Sequence, residues 1–142
     1  MTKQTETQSK RAEQLERELQ LFTGDLVRIR HPLNRSVIYT PGVKHLAEKA
    51  EAYWLVDAIA SWIGSPEFIE AGESSPAILE WHAWELNVDQ ANCSATLHAE
   101  QDSYIEPFIV QSIGFTDFPL EKIQIWAGFD GEHWTFYLPS EH

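Results

Sequence analysis

Cysteine is almost missing from this chain: Cys93 is the only one in 142 residues. One thiol excludes an intramolecular disulfide and a zinc cluster built on cysteines. No apolar run approaches the ~18 residues that a membrane-spanning helix needs. The start, Met1-Thr-Lys-Gln-Thr-Glu-Thr-Gln, has no apolar core segment, so no secretory signal is expected there. Bases are scarce too. Residues 1–35 hold seven of the ten Lys and Arg against five acids. Residues 36–142 hold three bases against seventeen acids, and from Glu67 onward Lys122 is the only base. A surface made from that part repels phosphate backbones and anionic membranes. Direct nucleic-acid binding is therefore not expected.

What the chain does have is apolar and aromatic mass. Hydrophobic residues make up 43% and aromatics 12%, with six Trp, which is too much for a disordered chain. The length suits one domain, residues 9–142, behind a disordered polar tail at 1–8. The net charge of −12 favours a partner with a basic surface, and it also keeps the chain soluble. A cytoplasmic location is the expectation.

Apolar spacing gives the elements. Leu15, Leu19 and Phe22 recur at helical intervals, predicting a helix over 9–22 with Gly24 as its left-handed cap. Residues 26–40 read as a β-hairpin turning at Pro32-Leu-Asn-Arg-Ser. Pro41-Gly42 then opens one long helix over about 43–63. Its second half is apolar nearly all round, as in a helix buried on several sides. Residues 64–77 read as a loop, with Phe68 and Ile69 docking it or making a helical turn. Strands are expected at 78–88, 95–100, 107–115, 123–127 and 133–138, the last two around a Gly128-Phe-Asp-Gly131 turn. Helices come early and strands late, without a βαβ rhythm. The expected class is α+β: an antiparallel sheet of about five to seven strands, one long buried helix and an N-terminal helix.

Asp57 is the first candidate for chemistry, because it interrupts the apolar run 53–60 and a buried carboxylate needs a partner. Arg28, Arg30 or His31 from the hairpin can supply one. Two readings follow: a catalytic or ligand-binding pair at Asp57 and His31, or a structural tie between helix and hairpin. Arg28, Arg30 and His31, with Arg35 close by, form a basic set able to hold an anionic group. Glu80 and His82 alternate onto one strand face with Trp84, but no third ligand is visible, so no metal site and no cofactor are expected. No Gly-x-Ser-x-Gly elbow or phosphate loop is present, and Cys93 has no adjacent base. Glu80, Trp84, Glu85, Trp126 and Trp134 are the expected partner-binding residues, as Trp among acids suits an interface anchor.

Several segments carry a family resemblance. They are Leu21-Phe-Thr-Gly24, Arg30-His31, Tyr39-Thr40 with Gly42-Val43-Lys44, Tyr53-Trp54-Leu55 with Asp57-Ala58-Ile59, and Phe115-Thr-Asp-Phe-Pro-Leu120. Together they resemble the bacterial and phage family labelled domain of unknown function 6876. The likeness spans roughly residues 20–140. Val27-Arg28-Ile29 stands where relatives often carry an aromatic pair. The resemblance implies no activity. It does imply an accessory gene of mobile elements and a shared constellation of Arg30, His31 and Asp57. The expectation is a non-enzymatic regulatory protein, for instance an inhibitor of a basic nucleic-acid-handling protein. The alternative is a small enzyme or ligand-binding domain using Asp57, His31 and Arg30. A homo-oligomer is compatible with either.

Overall fold

The computed structural model describes the backbone of residues 2–24, 26–102 and 106–142, with side chains from residue 9 onward. Helix α1 runs Thr2–Gln20 and ends short of Gly24, whose φ of 108° lies in the link that follows. The backbone of 2–8, expected as a tail, forms its first turns; the side chains there lie outside the described residues. Leu15 and Leu19 bury the predicted stripe, while the Phe22 ring packs at 5.2 Å from that of His45.

The hairpin is present but short. β1 (Ile29–Arg30) pairs antiparallel with β2 (Val37–Tyr39). Thr40 then starts α2 (Pro41–Lys49): its Oγ1 accepts from Val43 N–H, and Pro41 fills a position where no N–H is needed. The single long helix expected at 43–63 is two. α2 stops at Ala50, and α3 spans Tyr53–Trp62. Glu51 adopts φ 52°, and Ala52 N–H reaches back to Ala47 O at 2.8 Å. That is a left-handed helix stop without glycine, so neither composition nor periodicity announced it. The expected loop at 64–77 is also corrected. Ser65 caps α4 (Pro66–Ser74) by accepting from Phe68 N–H, and a 3-10 turn follows at Pro76–Leu79. Phe68 is the buried residue that docks it.

Seven strands form one sheet among the described residues, in the order β1-β2-β7-β6-β3-β4-β5. The long ones are β3 (Trp81–Asp89), β4 (Ser94–Glu100), β5 (Ile109–Ile113), β6 (Lys122–Phe129) and β7 (Trp134–Tyr137). The expected all-antiparallel sheet is corrected to a mixed one, because β2 runs parallel to β7. Parallel neighbours need a long connection between them, and here it is the whole chain between residues 39 and 134. The result is a single α+β domain with four α-helices among the described residues.

Alternation along the strands splits the sheet into two faces. One carries Val37, Phe136, Trp134, Ile125, Ala127, Trp84, Leu86, Leu97 and Ala99, all buried with helix residues Leu46, Leu55, Val56 and Ile59. Removing such side chains from water contributes ~1.5–3 kcal/mol each, so this face holds the core. The other face carries Trp81, Ala83, Glu85, Trp126, Gln124, Tyr137, His98 and Glu100, each only partly covered.

Candidate functional site

His31 and Asp57 do meet. His31 Nε2 lies 2.8 Å from Asp57 Oδ1. His31 is buried, whereas the Asp57 side chain is 55% exposed, which corrects the expectation of a buried carboxylate. The backbone N–H groups of Leu33 and Asn34 both donate to His31 Nδ1, at 3.2 and 2.9 Å. An imidazole nitrogen that accepts cannot carry the proton, so Nε2–H donates to Asp57. Both ring nitrogens are thus engaged. Asn34 extends the tie by donating to Ala60 O at 3.0 Å. Tyr53 and Ser61, one helical turn either side of Asp57, bond elsewhere, to Glu48 Oε1 and Ala58 O.

The basic set does not converge on this pair. Arg30 pairs with Ile38 in the hairpin, so it shares the open face with Thr135, away from His31. Arg28 is exposed and donates to Val27 O. Arg35, not Arg30, borders the shallow depression of about 350 Å³ beside Asp57, with Asn34, Ser61 and Ile63.

Partner-binding candidates divide by strand parity. Trp84 and Trp134 are 1% and 6% exposed and belong to the core, so both leave the expected set. Glu80 is exposed at the end of the 3-10 turn, and His82 is buried on the helix side, so these two do not form one site. Trp126 does lie on the open face. There it meets Trp81 edge to face at 5.3 Å, Tyr137 at 6.1 Å and His142 at 5.4 Å. Trp81 Nε1–H donates to Tyr137 Oη at 2.9 Å, and Trp126 Nε1–H to Gln124 Oε1 at 3.2 Å. Burial pushes the Tyr137 hydroxyl pKa up, against the smaller downward pull of the Trp81 bond.

Beside the aromatics lies a polar group. Glu85 stands directly opposite His98 on β4 and Gln124 on β6. Gln124 Nε2–H donates to Glu85 Oε2 at 2.9 Å, and Lys122 Nζ lies 3.5 Å from Oε1. Burial pushes the Glu85 carboxyl up. The bonds from Gln124 and Asn87 and the charges of Lys122 and His98 together outweigh it and leave the pKa below the usual value. Sequence reasoning missed Trp81, Tyr137, His98 and Glu100 as members of this face. The period of two along β3 is a signal that could have placed Trp81 beside Glu85 instead of Trp84; pairing His98 and Tyr137 with them required the strand register.

Among known proteins, the curated set gave no match. A crystal structure of a protein of unknown function from Enterococcus faecalis is similar at 19% identity and a TM-score of 0.49, covering 83% of this chain and 93% of that one. Residues 13–142 match the family of unknown function DUF6876, and with that extent the chain belongs to that family.

Proposed function

We propose that this protein is a non-enzymatic binding protein that docks a basic protein partner on the open face of its sheet. One observation carries the reading: helices cover a single face, while the other presents Trp81 and Trp126 against each other, half-buried and with their N–H groups already satisfied. Aromatic rings of that kind can bury large area at little entropic cost and accept Arg or Lys over their faces. The carboxylates of Glu80 and Glu85 near the same strand, and the acid excess after residue 36, supply charge complementarity. In its most concrete form the partner is a cytoplasmic nucleic-acid-handling protein. Its phosphate-binding residues would then meet carboxylates instead, as in an inhibitor encoded by a mobile element. The alternative, chemistry at Asp57, His31 and Arg30, is weakened by the engaged His31 nitrogens and by the placement of Arg30 on the opposite face of the hairpin.

The test is capture from host lysate by immobilised protein at low and high salt. A basic partner is expected at low salt and is lost as screening sets in at about 0.3 M salt. Trp126→Ala and Thr135→Lys, both on the open face, abolish capture. Asp57→Asn and Glu70→Lys, the latter on α4, retain it. Capture that ignores salt and survives both open-face substitutions overturns the reading.

A further inference from the structure

We propose that Glu85, His98 and Glu100 bind one divalent transition-metal ion of the zinc class. Glu85 of β3 faces His98 of β4 across the pair, and Glu100 follows His98 on the same side of that strand. One donor atom from each lies within 4.8 Å of the other two. The three side chains are 12%, 16% and 18% exposed, so water solvates none of them fully.

His98 is the observation that points to an ion rather than to an acidic patch. Its side chain is about five-sixths covered, yet among the described residues it makes no hydrogen bond. Nε2 stands 3.9 Å from Glu100 Oε2, beyond hydrogen-bond range. Neither ring nitrogen is among the buried unpartnered atoms, so both keep contact with water and an ion can reach them. Donors bonded to one ion at ~2.0–2.2 Å lie roughly 3–4 Å apart; the three here lie within 4.8 Å of one another, so small side-chain rotations bring them to that spacing. The two carboxylates match the ion's two charges. An imidazole with carboxylates selects zinc, cobalt or manganese over calcium and magnesium, which take oxygen alone.

The surroundings fit. Gln124 holds Glu85 Oε2 and is itself held by Trp126 Nε1–H, which fixes the orientation of the carboxylate. Lys122 is the resident counter-charge at Oε1. Its side chain is 61% exposed and can swing into water when an ion takes its place. Three protein ligands on an uncovered face leave the remaining coordination positions to water.

This inference does not rest on the docking reading, and its test contains no partner. Chelator-treated full-length protein is titrated with Zn²⁺ by calorimetry and with Co²⁺ by visible absorption. One ion per chain is expected. Glu85→Gln, Glu100→Gln and His98→Ala each weaken it at least about tenfold, and Gln124→Ala does so by about tenfold through loss of carboxylate orientation. Lys122→Gln tightens binding a few-fold by removing the competing charge. Far-UV circular dichroism checks each fold, and the two isosteric Gln variants stand in should His98→Ala not fold. The proposal is overturned by a Kd above about 1 mM, or by tighter binding that Glu85→Gln and Glu100→Gln leave unchanged, which marks an ion on another histidine.

Discussion

His82 shows how far one residue can depart from its sequence neighbourhood. It alternates with Glu80 and Trp84, yet its ring sits among Phe68, Trp84, Phe108 and Trp134 at centroid distances of 4.9 to 5.8 Å. Nδ1 bonds Ile78 O at 3.0 Å, and Nε2 has no partner. Burial drives its pKa down to about 4, against the smaller upward pull of the Ile78 carbonyl. The folded chain then holds fewer protons than the unfolded one below pH 6.5. His82 therefore supports the fold fully above pH 6.5, and that support is lost as pH falls towards 4. The loss amounts to about 3 kcal/mol at pH 4. Urea unfolding at pH 7 and 4 measures it, and His82→Leu is expected to lose much less over the same interval. His31 is the opposite case. It was legible only as one of three candidate partners of Asp57, with Arg28 and Arg30, because an ionisable residue in an apolar run demands a partner; the structure selects His31. Its second role was not legible, since the two N–H groups on Nδ1 come from the turn that His31 itself begins.

At the level of elements, long periodic segments were readable and breaks were not. The strands β3, β4, β6 and β7 fall where alternation placed them, within a few residues. The helix break at 50–52 was invisible, because helices usually stop on glycine and this one stops on Glu51 at φ 52°. A side chain in that region carries a conformational cost that glycine does not. Glu51→Gly is expected to stabilise the fold by about 0.5–1 kcal/mol, read as a higher urea midpoint at unchanged slope. An unchanged or lower midpoint would mean that Glu51 earns its place through a contact. The second missed helix, α4, had its start signal in plain view as Ser65-Pro66-Glu67. Its Gly and Ser content reads as loop and masks that cap, whereas Phe68 packing on the core face holds the helix in place.

For the whole molecule, the net charge of −12 sets the electrostatic behaviour. Self-repulsion of that size opposes compaction and is screened by salt. Tm is expected to rise between 0.02 and about 0.3 M sodium chloride, whereas partner capture falls over the same range; calorimetric scans check the first. A flat or falling Tm would show that local pairs such as His45–Glu18, at 2.7 Å, outweigh the global field. The sequence by itself determined the class, the charge layout, most strand positions and the need of Asp57 for a partner from the hairpin. These follow from local spacing and from the cost of unpaired polar groups. Only the tertiary structure decided which sheet face the helices cover, that β2 pairs in parallel with β7, and that Glu85, His98 and Glu100 converge. A period of two assigns residues to two faces without saying which is buried, and register between strands distant in the chain is set by packing rather than by any local signal.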